Sequence, residues 1–362
     1  MHRFVPLASY RYNPEFVSPD KLMFPPVATN PLEIVRDTTT GYYIYRMTYS
    51  DREKQKRTVE GIYGMLELTS HDLEGSSLNL DDPARIRYDH ILAHEQTIKP
   101  GTELTADDVG TLIGRPGSGP IWAIAMQNSL QIPVQLEHSP LVTVTDTQQV
   151  EHRIWQVLDP GLMEHLKSSV ESSQLIIADG HHRIARALKK LTNSKAGTVV
   201  RLLSFVTNLG ALEAEIRPIH RCFKTPLPRD EIINRLSKRY RISEISENIV
   251  QRITSEKELI IMHNSKAYAL TPLRVNPVDN DAIQSQNIAR LLEAKSTQYI
   301  TDAEKLIFKI KNDPTKVAIA IRPITINQIR RAALSKTPLP PKSTMFYPKP
   351  LAGLILGDHI NT

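Results

Sequence analysis

Residues 174–191 read QLIIADGHHRIARALKKL. Gln174 to Ala178 is a short apolar run that fits a buried strand, and Asp179-Gly180 is a turn signal. After the turn, Ile184, Ala187, Leu188 and Leu191 recur at the spacing of one helix face. The stretch therefore predicts a strand, a tight turn and a helix in direct succession, which is the building unit of a mixed α/β fold.

Upstream, Gly41 to Tyr49 alternates aromatic and polar residues as a strand does, and Val59 to Leu68 reads as its partner, with glycines that could mark bulges. Pro120 to Met126 reads as a buried strand, and Glu151 to Val157 alternates again. Asp159 is the expected cap of a helix reaching Val170, with Pro160 in its first turn. Residues 1–40 are proline-rich and read as mostly irregular, and the glycine-rich segment 99–119 reads as a loop. Downstream, Val199 to Asn208 is an expected strand. Pro226 to Arg239 is an expected helix, Glu258 to Met262 with Ala267 to Leu270 a hairpin, and Ala282 to Ala294 and Thr301 to Ile310 helices. Val317 to Ile321 reads as a strand and Ile324 to Leu334 as a helix.

The 362 residues exceed what one compact domain usually needs. Three parts are expected: a phosphate-binding catalytic lobe over 1–225, a smaller α+β lobe over 226–335, and a tail over 336–362 that packs back on the first lobe. Cys222 is the only cysteine, so an internal disulfide is excluded and a reducing, cytoplasmic location is expected. No stretch approaches the roughly 18 apolar residues of a spanning helix. Met1 to Tyr12 has no apolar core, so neither a membrane span nor a signal peptide is expected. The net charge is +6 and the pI about 9.2, which allows an anionic partner, but the basic residues are spread along the chain. Nothing in the sequence sets an oligomeric state.

Four segments could carry chemistry. At the Asp179–Arg183 turn, the first N–H groups of a helix are unpaired and partly positive, and a glycine lets a ligand approach the backbone. His181, His182 and Arg183 add donors, and a guanidinium grips phosphate with two parallel bonds. Asp179 would repel phosphate unless it holds Mg2+ between its carboxylate and phosphate oxygens. A plain capped helix with surface histidines is the alternative reading of these residues. Zinc is disfavoured because no His/Cys cluster completes the set. Second, Glu95, within His94-Glu95-Gln96-Thr97, could take a proton from a substrate hydroxyl. Third, Pro340 to Lys349 (PPKSTMFYPK) offers lysine and hydroxyl groups that bind phosphate. Fourth, His220-Arg221 follows Pro218. His94, Thr97, His220 and Arg221 are the candidate substrate contacts.

Together, Ala178 to Arg183, Pro218 to Arg221 and Pro340 to Lys349 resemble the domain-of-unknown-function family 1015, and the similarity runs from about Arg3 to Leu356. His94-Glu95-Gln96 with Asp179 to Arg183 is more distantly similar to archaeal free-serine kinases of the ParB/sulfiredoxin-like superfamily. That resemblance implies a ParB/sulfiredoxin-like core and ATP or ADP with Mg2+ as cofactors. It implies Glu95 as general base, with Asp179 assisting catalysis or holding the metal. It also implies phosphate contacts from Gly180, His181, His182 and Arg183, and from Lys342, Ser343 and Thr344, with His181 among the catalytic residues. The chain departs from the pattern at Pro25 to Thr29 and over 101–119, so the substrate end of the pocket is expected to differ.

The expected function is a nucleotide-dependent kinase acting on a small amino-acid-like hydroxyl, with free L-serine as the type substrate. Two alternatives use the same site. One is a nucleotide hydrolase with water as acceptor; the other is a non-catalytic nucleotide-binding regulator that contacts DNA. The scattered bases and the lack of a helix-turn-helix segment weigh against nucleic acid.

Overall fold

The computed structural model describes residues 3–23, 31–69, 119–126, 130–132, 138–180, 183–184, 187, 191, 194–195, 197–246, 248–255, 258–274, 280–311, 313, 315–335, 339–340 and 342–357. The fold is mixed α/β. The chain divides into two compact units, Met1–Glu215 with Phe346–Thr362, and Ile216–Met345. The division falls before the expected boundary at 225 because His220–Lys224 pairs with Lys295–Ile300 and Lys316–Ala320 inside the second unit.

The first unit is built on an eight-stranded sheet. Seven strands run in the order Val142–Thr145, Glu151–Val157, Tyr42–Ser50, Lys56–Thr69, Val199–Asn208, Ile121–Ala125 and Leu175–Asp179, while Arg3–Val5 adds to Lys56–Thr69. Ile121–Ala125 runs parallel to Val199–Asn208, and the other pairs are antiparallel. The expected strands thus form, and the tyrosine-rich Tyr42–Ser50 lies near the centre, where Tyr42, Tyr43 and Tyr45 are fully buried.

The glycines of Lys56–Thr69 do not mark bulges, since the ladders on both sides run without a register shift. They are sites of close packing. A methyl group on Gly61 would lie 2.5 Å from the Val206 carbonyl oxygen, and one on Gly64 2.4 Å from the Phe4 ring. Phe4 is itself wedged, stacked on Tyr42 at 5.2 Å. We expect Gly64→Ala to destabilise the protein by about 1–3 kcal/mol, the usual cost of overpacking a core. A chemical denaturation midpoint unchanged from wild type would refute that.

The helix Pro160–Glu171 begins as expected, with the Asp159 carboxylate accepting from Leu162 N–H at 2.7 Å. Its buried Leu166 and Val170 join Ile177, Ile184, Ala187 and Leu191 in one apolar cluster. The described residues among 1–40 are more regular than their prolines predict. Ser9–Tyr12 forms a small sheet with Ile34–Arg36 and Leu356–Gly357, so strand partners remote in sequence organise this segment.

The second unit is a six-stranded antiparallel sheet in the order Tyr240–Ile245, Lys266–Pro272, Leu259–His263, Lys316–Ala320, His220–Lys224 and Lys295–Ile300. The helices Ile249–Thr254 and Ala303–Lys311 supply Ile253, Leu306 and Ile310 to its core. Tyr240–Ile245 alternates only over its first four residues and Lys295–Ile300 not at all, and the sequence reading missed both.

Candidate functional site

Asp179 ends the Leu175–Asp179 strand at the edge of the first sheet, opposite Trp122. Gly180 follows in the left-handed region with φ +91°, where a side chain would be strained. Its carbonyl accepts from Arg183 N–H at 2.9 Å and from Ile184 N–H at 3.2 Å, so the chain turns at once into a helix. Residues 183, 184, 187 and 191 are helical, and Ile184, Ala187 and Leu191 are buried. The apolar spacing read from the sequence thus anchors the helix and holds the turn at the sheet end.

The space beside Gly180 is tightly filled. A methyl group there would meet Arg183 Nη2 and Ile121 Cγ1, each at 3.1 Å. The missing side chain leaves room for the guanidinium to fold back over the turn. On its other side, Arg183 Nη1 would lie 4.0 Å from a methyl group on Gly119. Nη1 is buried and has no hydrogen-bond partner among the described residues. Burial lowers the guanidinium pKa, while Asp179 and Tyr63 oppose that shift.

Asp179 is held by a residue that the sequence reading did not select. Lys349 Nζ donates to its Oδ2 at 2.9 Å. Burial pushes the Asp179 carboxyl up, but Lys349, Arg183 and the Gly180 N–H together leave it below the ordinary carboxylate value. Lys349 stands in the same PPKSTMFYPK segment as Lys342, and its placement between two prolines was the available signal. The segment reaches the site through buried anchors. Phe346 packs on Trp122 at 5.4 Å, and Leu351 N–H donates to the Tyr45 hydroxyl at 3.1 Å.

A pH prediction follows. A carboxyl whose folded pKa is depressed adds stability above its unfolded value, and that stability is lost as the pH falls through the folded value. Lys349→Met removes the first-named of the opposing charges, so the Asp179 contribution shrinks. Stability at neutral pH should then fall by a small amount, because both side chains are about half exposed, and the deficit should close as the pH falls through the folded Asp179 value. A curve of stability against pH identical to wild type would contradict the pairing.

Asp179 was also expected to hold Mg2+. Its carboxylate is paired with the Lys349 ammonium, and no cluster of three His, Cys, Asp or Glu side chains occurs among the described residues.

The remaining expected residues separate into two groups. His94, Glu95, Thr97, His181 and His182 lie outside the described residues. Lys342, Ser343 and Thr344, with His220 and Arg221, belong to the second unit. There Lys342 is exposed with φ +57°, and the buried Ser343 hydroxyl donates to the Pro340 carbonyl. His220 Nδ1 accepts from Ile321 N–H at 3.2 Å. Arg221 is buried, donates to the Ile219 carbonyl and stacks on Tyr299 at 5.1 Å. Burial brings the Arg221 pKa down to about 10.

Residues 32–294 match the family described as protein of unknown function (DUF1015). The chain belongs to this family. No curated protein matches this DUF1015 member. Among solved structures, it is similar to a free serine kinase variant in complex with AMP, at 15% identity and a TM-score of 0.36, over 51% of this chain and 72% of that one. A free serine kinase variant in complex with ADP matches at 17% identity and a TM-score of 0.36, over the same shares. A conserved hypothetical protein from Pyrococcus furiosus matches at 14% identity and 0.35, over 51% and 75%. No helix among the described residues is long and apolar enough to cross a membrane.

Proposed function

We propose that this DUF1015 protein is a nucleotide-dependent phosphotransferase, with the Asp179–Arg183 turn and Lys349 as its phosphate site. The observation that carries the reading is the buried Arg183 Nη1 that no described residue satisfies. Buried polar nitrogens are nearly always paired in native proteins. Arg183 and Lys349 are two cations facing one carboxylate, Asp179, so one positive charge lacks a counter-ion among the described residues. A phosphate oxygen supplies both the acceptor and the charge.

In this reading Arg183 grips a nucleotide phosphate and Lys349 turns from Asp179 to a neighbouring phosphate oxygen. His181 and His182 add donors at the helix start. Glu95 takes the proton from the acceptor hydroxyl, and His94 and Thr97 contact that acceptor. The acceptor is the hydroxyl of a small amino-acid-like metabolite, with free L-serine the first to test. Mg2+ arrives with the nucleotide and would neutralise phosphate charge. The protein's own part is positioning and charge stabilisation, which supply most of the rate in phosphoryl transfer.

The test is to incubate the protein with Mg2+, ATP or ADP, and a pool of amino acids, and to search by mass spectrometry for an acceptor that has gained one phosphoryl group. A phosphorylated acceptor supports the reading. Phosphate release that is equal with and without acceptors would replace it with a hydrolase. Nucleotide binding without turnover would replace it with a regulator.

A further inference from the structure

The Lys349 segment is tied to the first unit through a buried polar chain that no step above uses. Asp146 closes the turn between Val142–Thr145 and Glu151–Val157: its Oδ1 accepts from Gln148 N–H at 2.8 Å and Val150 N–H at 2.9 Å. Its Oδ2 lies 3.3 Å from His152 Nε2. That contact is electrostatic: no described residue gives Nε2 a well-aligned hydrogen bond, and against the upward push of burial the pair helps to hold the Asp146 carboxyl below its ordinary value. On the other side of the ring, His152 Nδ1 is 2.7 Å from the Tyr45 hydroxyl. The Tyr45 oxygen in turn accepts from Leu351 N–H at 3.1 Å. Asp146, His152, Tyr45 and Leu351 are all more than nine-tenths buried.

Proton counting sets the direction of the chain. Leu351 N–H can only donate, so the Tyr45 oxygen is its acceptor. The single Tyr45 proton is then free for His152 Nδ1, which accepts it in the tautomer that carries its own proton on Nε2. The proton of the neutral ring therefore sits on Nε2 and faces the Asp146 carboxylate, which favours that tautomer. A carboxylate, an imidazole and a phenol thus line up to present one oxygen lone pair to one backbone N–H. That N–H is two residues from Lys349, whose ammonium reaches Asp179 at 2.9 Å.

We propose that Asp146, His152 and Tyr45 are positioning residues for the phosphate site: they set the register of the 346–357 segment and so the reach of Lys349. The apolar anchors Phe346 and Leu351 hold the segment on the unit, but apolar contact is non-directional. The hydrogen bond to Leu351 N–H is directional and fixes where along the sheet end the lysine emerges. The effect on ligand binding rests on the phosphate-site reading; the effect on the segment does not.

Two readouts keep these apart. Hydrogen exchange of peptides covering 345–355, without ligand, reads the segment. ADP titration reads the site. Tyr45→Phe should speed exchange at Leu351 and weaken ADP binding about two- to tenfold, the usual range for one hydrogen bond. Tyr42→Phe is the control: it also removes a buried hydroxyl, one that donates to the Phe4 carbonyl, and should leave 345–355 unchanged. If Tyr45 acts through Lys349, then Tyr45→Phe with Lys349→Met binds ADP no more weakly than Lys349→Met alone. Nitrogen NMR of His152 should show the proton on Nε2. Unchanged exchange in Tyr45→Phe overturns the proposal, as does a double variant whose loss is the product of the single losses. If Lys349→Met leaves ADP binding intact, the phosphate role of Lys349 falls, and the exchange result alone decides whether the chain positions the segment.

Discussion

Arg183→Ala is expected to weaken nucleotide binding by about 10- to 100-fold while leaving the fold intact. Hydrogen bonds to charged groups are worth roughly 1.5–3 kcal/mol, and each 1.4 kcal/mol is a factor of ten. The stability side of this prediction separates function from structure. A buried guanidinium nitrogen without a partner costs free energy in the unliganded protein, and among the described residues Arg183 Nη1 is such an atom. Removing it relieves that cost, so thermal stability without ligand should hold or rise slightly. The stabilisation that added nucleotide gives wild type should disappear. A variant that unfolds more easily but still binds ADP as wild type does would make Arg183 a packing residue.

The second large effect concerns Glu95. Glu95→Gln should leave nucleotide affinity within about twofold of wild type and cut phosphoryl transfer by roughly 10²- to 10⁴-fold, the range for loss of a general base. The carboxylate is asked only to take the acceptor proton, while the amide keeps its size and one acceptor oxygen. The two substitutions therefore divide the proposed machinery. One removes binding of the donor, and the other removes transfer with the donor still bound. Undiminished transfer in Glu95→Gln would move the base to another residue.

Much of the site was legible because its elements are local. The apolar run before Asp179, the glycine after it and the 3.6-residue spacing of Ile184, Ala187 and Leu191 are signals carried within one short stretch. They determine a strand, a left-handed turn and a helix wherever the stretch sits. The same holds for the Asp159 cap and the hairpin around residue 264, where Asn264 and Ser265 both adopt positive φ. Strands that alternate poorly were not legible. Lys295–Ile300 is exposed along most of its length and is a strand only because His220–Lys224 offers it a ladder.

By itself, then, the sequence determined a mixed α/β chain, the strand, turn and helix around Asp179 to Arg183, and a lysine-bearing, proline-rich segment near its end. It did not determine which lysine meets the Asp179 carboxylate. Lys342 and Lys349 are chemically the same and lie in one proline-rich stretch, and no local propensity tells them apart. The tertiary structure decided it by burying Phe346 and Leu351 in the first unit and pairing Leu351 N–H with Tyr45, 306 residues away in the chain. It also gave Gly180 its purpose, since only the folded chain brings Ile121 and the Arg183 guanidinium into the space a side chain would fill. Contacts of that kind depend on close packing between residues distant in sequence, and packing is a property of the assembled core, not of any one segment.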